Sequence, residues 1–440
     1  MKLSQDSKLI EKSSMLNRII QAFAFTVIGL FLLAMFGWLS VHLSKGDKDF
    51  GFLNEPVKFM YSFPDMFEES VEEAKTFALP KTFVKTRTTF QPINKLEEDV
   101  FALTSYSDTN NSRTIAVINL KDHSIQEKWT FHKEMMDHLR VFHPMLLPNK
   151  DLIFSLDQHT LTRVDSNSNV QWVQSGAWPH HAKNLDNEGN IWLSTYPNVY
   201  YGTGMYKHVG REVSFKDEFI NKIDGKTGEI LFNKSMAELL YENGLSNYLL
   251  TSGNIFDPIH VNDVQPALKT TAFYQEGDVF ISAKHLSAIL HYRPSTNELI
   301  DYIRGPFNSQ HDVDFFGDSS IIFFNNNDYS ASMYNYEGPS KDPSKVVFAG
   351  DLYSEIMQYN LATKEFSYLL KDVFREHEIF TATEGLQQFY APNAVFVEEQ
   401  NDGILWIIKE GEVVYKNVLK SQHEGFHHLP NWTTILTDYE

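Results

Sequence analysis

Histidine is the main side chain in this sequence that can act as a nucleophile, acid or base near neutral pH. Four histidines, His143, His181, His260 and His311, each stand at the start of a short apolar strand pattern. In three of these cases eight residues separate the histidine from a turn residue that leads into a further apolar strand. Because a neutral imidazole attacks electrophiles and moves protons at pH 7, histidines at one phase of a repeat predict a functional cluster.

A metal site is the alternative chemistry for such a cluster, since imidazoles beside carboxylates suit zinc, copper or iron. Asp263 and Asp312 lie close in sequence to two of the histidines. None of the four histidines has a second histidine at HxH or HxxxH spacing, which would supply two ligands from one element. We therefore predict neither a metal nor another cofactor.

The composition excludes several classes of protein. The 440 residues include no cysteine, which rules out disulfides, thiolate catalysis, zinc–thiolate sites and iron–sulfur clusters. The formal charge of −19 argues against a nucleic-acid partner, because phosphate binding needs a basic face. With 42% hydrophobic and 14% aromatic residues, the chain is expected to fold around a large core.

A recurring hairpin pattern predicts the elements that position the histidines. Six similar units each join two apolar strands by a turn rich in Asn, Asp, Thr, Ser or Gly, at 116–129, 162–172, 221–232, 290–302, 357–369 and 405–417. Their spacing suits four-stranded blades with insertions, so we predict an all-β fold, a six-bladed β-propeller over residues 89–440. A β-sandwich is the alternative, but it does not explain six similar hairpins. In a propeller, the histidines would converge at one mouth of the channel.

The N-terminal region contains one apolar segment that is long enough to cross a membrane. Residues 19–43 carry no charge, and about 20 apolar residues suffice to span the hydrocarbon core. Four basic residues precede the segment: Lys2, Lys8, Lys12 and Arg18. We expect residues 1–18 in the cytoplasm, an uncleaved anchor at 19–43, a connector at 44–88 and a periplasmic C-terminal domain on the bacterial inner membrane. A cleaved signal peptide is the competing interpretation.

Four segments resemble the bacterial arylsulfate sulfotransferases, the family that does not use the nucleotide sulfate donor. They are IHVND at 259–263, SAKHLSAIL at 282–290, NSQHD at 308–312 and FNNND at 324–328. The order and spacing of these segments are similar to those of the family, whose fold is a six-bladed propeller. The resemblance implies transfer of a sulfuryl group from a phenolic sulfate to another hydroxyl through a sulfohistidine.

The resemblance also implies roles for individual residues. His311 would be the nucleophile, His260 and Asn262 would contact the sulfate or protonate the leaving phenolate, and Lys284 occupies the position of the family's arginine. His181 would be a further catalytic histidine. The expected substrate-binding residues are His180, as the close alternative to His181, together with Asn262, His143, His285 and Asn326.

This sequence departs from the family in ways that leave the substrate open. Lys284 supplies a point charge where an arginine would supply a bidentate fork. The disulfide and the N-terminal β-domain of some members have no counterpart here. The acceptor is therefore expected to be a phenol or a glycan, and a non-catalytic propeller that binds a glycan or a partner protein at the membrane is the alternative. The sequence does not define the oligomeric state.

Overall fold

A computed structural model of the chain divides into two units, residues 1–78 and 79–440. The structure describes residues 3–45, 48, 50–61, 63–64, 82–107, 113–131, 141–156, 159–197, 204–208, 211–328 and 353–439. Much of the expected connector, including 65–81, lies outside the described residues.

The first unit contains one long helix, α1 (Leu3–Lys45), followed by a 3-10 turn at Gly51–Leu53. Within α1, the apolar segment Asn17–Leu43 has a mean hydropathy of 2.4. None of the residues in its most apolar stretch is buried. Its length and apolar character suit a single transmembrane helix, as the sequence predicted.

The second unit consists of six four-stranded antiparallel sheets, which are the blades of a propeller. Blade 1 contains β3 (Phe101–Ser107), β4 (Arg113–Asn119), β5 (Ile125–Thr130) and the last strand of the chain, β29 (Asn431–Ile435). Blade 2 contains β6 (Val141–Leu146), β7 (Leu152–Leu156), β8 (Thr160–Val164) and β9 (Val170–Gln174). Blade 3 contains β10 (Ala177–Leu185), β11 (Ile191–Pro197), β14 (Phe219–Ile223) and β15 (Ile230–Ser235).

The remaining three blades follow in chain order. Blade 4 contains β16 (Val261–Pro266), β17 (Val279–Ala283), β18 (Ala288–Arg293) and β19 (Glu298–Ile303). Blade 5 contains β20 (His311–Phe315), β21 (Ser320–Asn325), β22 (Glu355–Asn360) and β23 (Phe366–Leu369). Blade 6 contains β24 (Leu386–Ala391), β25 (Ala394–Glu399), β26 (Ile404–Lys409) and β27 (Glu412–Val418).

Smaller elements decorate the blades. The strand β2 (Ile93–Asn94) adds a fifth strand to blade 6, and β1 (Phe83–Lys85) pairs with β28 (Phe426–His428). A separate hairpin joins β12 (Gly204–His208) to β13 (Arg211–Phe215). Among the described residues, the second unit contains three short α-helices: α2 (Met236–Glu242), α3 (Asn247–Thr251) and α4 (Lys371–Glu376). Residues 54–61 of the first unit are also helical.

The six hairpins predicted from the sequence are confirmed as the third and fourth strands of the six blades, counted outward from the axis. Local turn chemistry explains why they could be recognised. At the turn of blade 2, Asp165 Oδ1 accepts hydrogen bonds from the backbone N–H groups of Asn167 and Asn169. At the turn of blade 5, Asn360 Oδ1 accepts from the backbone N–H groups of residues 362 and 363. Such side-chain oxygens replace backbone turn hydrogen bonds, so the turn is fixed by nearby residues alone.

The ring closes through the two ends of the chain. The last strand, β29, pairs with β3, so blade 1 combines C-terminal and N-terminal strands. The innermost strands β6, β10, β16, β20, β24 and β29 each contact the next around the axis, and β29 contacts β6. Apolar side chains from adjacent blades form the core, including the fully buried Trp406, Phe396 and Phe323. These contacts hold the inner strands, and hence the histidines on them, at fixed positions.

Candidate active site

A bulge in each innermost strand turns side chains out of the regular alternation. The strand register shifts after Phe142 in β6, after His180 in β10, after Val261 in β16 and after His311 in β20. His143, His181 and His260 have positive φ angles of 50°, 55° and 54°. Few residue types other than glycine adopt this conformation, and histidine is among those that do so more often. The bulges thus place imidazoles where a regular strand would not.

The structure brings together the histidines that the repeat phase singled out. His181 Nε2 lies 3.3 Å from His260 Nε2. The ring centroid of His181 lies 5.6 Å from that of His311 and 6.1 Å from that of His143. The His180 ring lies 4.0 Å from the His181 ring. Five imidazoles contributed by four blades therefore form one cluster.

His311 is held in a defined tautomer by its neighbours. Its Nδ1 lies 2.6 Å from Asn326 Oδ1 and 3.1 Å from the backbone oxygen of Ser309. Both oxygens are acceptors, because the Asn326 Nδ2 group donates to the carbonyls of Thr381 and Glu384. Nδ1 of His311 must therefore carry the proton, which leaves the lone pair on Nε2. Burial lowers the pKa of His311 well below its usual range, and the nearby Lys284 ammonium adds to this effect.

His260 belongs to a second hydrogen-bonded unit. Its Nδ1 donates to Asp257 Oδ2 at 2.6 Å, so its Nε2 faces His181. The backbone oxygen of Asp257 also accepts from His285 Nδ1 at 2.5 Å. A carboxylate behind an imidazole fixes its tautomer and stabilises the imidazolium when a proton arrives. Burial holds the pKa of His260 well below its usual range, so the unliganded ring is neutral at pH 7.

His180 has a close polar neighbour at each ring nitrogen, and its hydrogen-bond partner is at Nε2. Its Nδ1 lies 3.0 Å from Glu218 Oε1, and its Nε2 lies 3.3 Å from the Tyr196 hydroxyl. Burial lowers the pKa of His180 to about 3 and raises the pKa of Glu218 to about 8. The two groups are therefore both neutral near pH 7 and do not form an ion pair. Glu218 also accepts the backbone N–H of Val261, which ties blade 3 to blade 4.

Lys284 brings a positive charge to the cluster. It begins a 3-10 turn at Lys284–Leu286 after β17, and the residue is only 7% exposed. Among the residues that the structure describes, none forms a hydrogen bond or an ion pair with its ammonium group. Burial lowers its pKa, and the carboxylates of Asp328, Asp257 and Glu384 act in the opposite direction. A buried ammonium without a close partner is available to an anion.

Asn262, His143 and Asn326 lie beside individual members of the cluster. Asn262 Nδ2 donates to the backbone oxygen of Gln310, while its buried Oδ1 has no hydrogen-bond partner among the described residues. His143 stacks on Trp432, with a distance of 4.0 Å between ring centroids. Asn326 contacts His311 directly, so its position favours a supporting role behind the imidazole more than contact with a substrate.

Sequence reasoning missed three residues that support the cluster. Asp257 precedes His260 by three positions in the segment DPIH, and this short spacing was a usable signal. Glu218 and Trp432 reach the site from distant parts of the chain, and no local pattern marks them. Asp263 and Asp312, which the sequence placed near histidines, instead accept the backbone N–H groups of Val313 and Gln387 and link neighbouring blades.

Among the described residues, two groups of side chains have donor atoms close enough to bind a metal ion. They are His180, His181 and His260, and Asp257, His260 and His285, with the donor atoms of each group within 4.8 Å of one another. The 3.3 Å between the Nε2 atoms of His181 and His260 equally suits a hydrogen bond between imidazoles. The expectation of a metal-independent site remains a prediction.

Comparison with solved structures gives weak matches to other proteins. A protein of unknown function from Bacteroides caccae is 12% identical with a TM-score of 0.47, over 75% of this chain and 97% of that one. A catalytically inactive virginiamycin B lyase from Staphylococcus aureus is 10% identical with a TM-score of 0.39, over 78% of this chain and 90% of that one. No curated protein matches the chain.

The family comparison is more informative. The model of the arylsulfotransferase (ASST) family matches residues 143–418, which is more than half of the chain. The match begins at His143 and includes all five histidines of the cluster. By this match the chain belongs to the arylsulfotransferase family.

Proposed function

We propose that this protein transfers a sulfuryl group from an aryl sulfate ester to a hydroxyl acceptor through a sulfohistidine at His311. The observation that carries the proposal is the set of hydrogen-bond partners at His311 Nδ1. Its Nδ1 proton is directed to Asn326 and Ser309, and no described residue forms a hydrogen bond with Nε2. A neutral, buried imidazole with its lone pair on Nε2 is a competent nucleophile for group transfer.

The first transfer forms one bond and breaks another. The Nε2 lone pair of His311 forms an N–S bond, and the S–O ester bond breaks with its electron pair on the phenolate oxygen. When the anionic donor binds, the neutral His181–His260 pair takes up one proton from solvent, and Asp257 stabilises the resulting imidazolium. The pair then gives this proton to the phenolate oxygen.

The second transfer reverses these roles. The acceptor hydroxyl gives its proton to the His181–His260 pair while its oxygen attacks sulfur. The N–S bond breaks, and its electron pair returns to His311 Nε2. Splitting one transfer into two steps lowers each barrier, and one histidine pair serves first as acid and then as base.

Charged and polar residues around the transferred group would stabilise its negative charge. Sulfuryl transfer, like phosphoryl transfer, spreads negative charge over three equatorial oxygens, so fixed donors lower the barrier. Lys284 supplies a full positive charge, and Asn262, His180, His143 and His285 complete the binding surface as substrate-binding residues. We place a phenol or a glycan as the acceptor.

We further propose that the catalytic domain is exported and anchored. In this arrangement residues 1–18 are cytoplasmic, 19–43 span the inner membrane, 44–88 form the connector and 89–440 form the periplasmic propeller. The apolar helix and the basic residues before it support this orientation. Protease added to intact spheroplasts should degrade the propeller, and protection of the propeller would reverse the proposed orientation.

The transferase activity is tested with the purified full chain, 4-nitrophenyl sulfate and a phenol. Wild-type protein should release 4-nitrophenol and form the new sulfate ester, and His311→Ala should abolish both. His159→Ala, an exposed histidine beside Trp178, is the matched control and should retain activity. If folded wild-type protein transferred no sulfuryl group from a panel of aryl sulfates to phenols or saccharides, the non-catalytic binding propeller would be favoured.

A further inference from the structure

A cleft of about 160 Å³ lies beside the turn that carries Lys284 and His285. Its walls come from α3 and the loop after it, from the turn between β17 and β18, and from the loop between β19 and β20. Because Lys284 and Ser309 border both the cleft and the surroundings of His311, the cleft adjoins the proposed reaction centre.

The charge of this cleft is opposite to that of the whole chain. Lys284 and Arg304 line it together with His285, and its described lining includes neither Asp nor Glu. The chain as a whole has a formal charge of −19. A site that collects two cations on so acidic a protein is suited to an anionic ligand.

The exposed guanidinium of Arg304 lies over one aromatic ring. Its Cζ lies 5.9 Å from the centroid of the Tyr248 ring, and Tyr248 stacks on Tyr302 with 4.6 Å between ring centroids. Within the described part of the chain, Arg304 forms no hydrogen bond and no ion pair. Its N–H groups are thus available, and the fork of a guanidinium binds a carboxylate or a sulfate in a bidentate manner.

We propose that the cleft binds a second anionic group, carried by the part of an aryl substrate that is not transferred. The ring of such a substrate would lie against Tyr248, its sulfuryl group between Lys284 and His311, and its second anion on Arg304. The preferred substrate class is therefore an aryl sulfate or phenol with a carboxylate or sulfonate substituent. This inference rests on the proposed function, because the position of the aryl ring follows from the placement of the sulfuryl group at His311.

The test is equilibrium binding of two non-transferable sulfonates to the full chain in detergent. Benzenesulfonate carries one anionic group, and 4-sulfobenzoate adds a carboxylate to the same ring. Wild-type protein should bind 4-sulfobenzoate about tenfold more tightly, as expected for one added hydrogen-bonded charge pair. Arg304→Gln should abolish this preference, and Arg304→Lys should restore part of it.

Arg87→Gln is the matched control, because the guanidinium of Arg87 pairs with Asp402 and lines no part of this cleft. It should leave the preference intact. Equal binding of the two probes by wild-type protein, failure to bind either, or a preference that survives Arg304→Gln would overturn the inference. Selective binding without turnover would refute the transferase proposal alone, whereas turnover without selectivity would refute the cleft alone.

Discussion

Asn326 Oδ1 accepts a hydrogen bond from His311 Nδ1 at 2.6 Å, and the orientation of this amide is fixed from behind. Its Nδ2 donates to the carbonyls of Thr381 and Glu384, so the amide cannot rotate without losing two hydrogen bonds. One residue of blade 5 therefore determines which nitrogen of its neighbouring imidazole carries the proton. The proposed chemistry depends on this relationship.

The first prediction concerns Asn326. Replacing it by Leu removes the acceptor for the Nδ1 proton, so His311 loses its fixed tautomer and orientation. We expect kcat/KM to fall by about 10- to 100-fold, the range found when a hydrogen-bond partner that orients a metal-binding imidazole is removed. Nitrogen NMR of labelled protein should show His311 shift from the Nδ1–H form to a mixture of tautomers. An unchanged tautomer in a variant with reduced activity would contradict this explanation.

The second prediction concerns the carboxylate behind His260. Asp257→Asn keeps the shape of the side chain but removes the charge that stabilises the imidazolium, so kcat should fall by about 100-fold. Asp278→Asn is the matched control, because Asp278 holds His291 in a similar pair at 2.8 Å in blade 4, away from the cluster. It should lower the thermal stability and leave kcat near the wild-type value. Equal losses of kcat in the two variants would point to a general structural effect.

The third prediction concerns the charge and geometry of Lys284. Lys284→Met removes the buried ammonium, and kcat should fall by about 10²- to 10³-fold because charge on the transferred group loses its partner. Lys284→Arg keeps the charge and supplies a guanidinium that can bind an oxyanion through two N–H groups. The kcat of this variant should therefore remain within about tenfold of the wild-type value. Steady-state kinetics with 4-nitrophenyl sulfate measure both variants. Full activity in Lys284→Met would exclude the lysine from the reaction.

The fourth prediction concerns the protons of the cluster. Burial holds the pKa values of His181 and His260 well below their usual range, so both rings are neutral in the free protein near pH 7. A bound sulfonate anion favours the imidazolium forms of these two histidines and therefore raises their pKa values. The affinity for benzenesulfonate should therefore decrease as pH rises, by up to about tenfold per pH unit for one proton taken up. Calorimetry in buffers of different ionisation enthalpy measures the uptake, and binding without proton uptake would contradict the prediction.

The fifth prediction concerns stability and Glu218. Burial raises its pKa from 4.5 to about 8 in the folded state, so the folded protein holds this proton more tightly than the unfolded chain. The resulting stability is present below pH 4.5 and is lost as pH rises through about 8. Between pH 5 and 8.5, the Tm of wild-type protein should therefore fall by about 2 °C more than that of Glu218→Gln.

Glu238→Gln is the control for this comparison, because the side chain of Glu238 is 67% exposed on α2. Its Tm should follow the wild-type profile across the pH range. Parallel profiles for wild type and Glu218→Gln would show that Glu218 does not gain a proton on folding.

The sequence was sufficient for features that depend on nearby residues. Four of the six hairpin turns begin at an Asn or Asp whose side chain accepts N–H groups of the next few residues, and the blade 6 turn contains Glu410 and Gly411. Such local signals allow six blades to be counted without long-range contacts. The histidines could be grouped because each stands at the same phase of its blade. Whether His180 or His181 faces the others could not be decided, since a bulge reverses the alternation of side chains.

Contacts between residues that are far apart in the chain could not be predicted from the sequence. Trp432 reaches His143 only because β29 closes the ring beside β6, and Glu218 reaches His180 across blade 3. The Asn326 orientation depends on carbonyls of Thr381 and Glu384 more than fifty residues away. These contacts decide protonation and orientation, whereas the pattern of residue types decides only which side chains are candidates.

Mass spectrometry of the wild-type protein after brief reaction with 4-nitrophenyl sulfate, without an acceptor, tests the central claim most directly. Digestion at neutral or alkaline pH preserves the acid-labile N–S bond. We predict one added sulfuryl group on the peptide that contains His311, its disappearance when a phenol is added, and its absence in His311→Ala. A sulfuryl group on another residue, or turnover without any protein-bound sulfuryl group, would contradict the proposed mechanism.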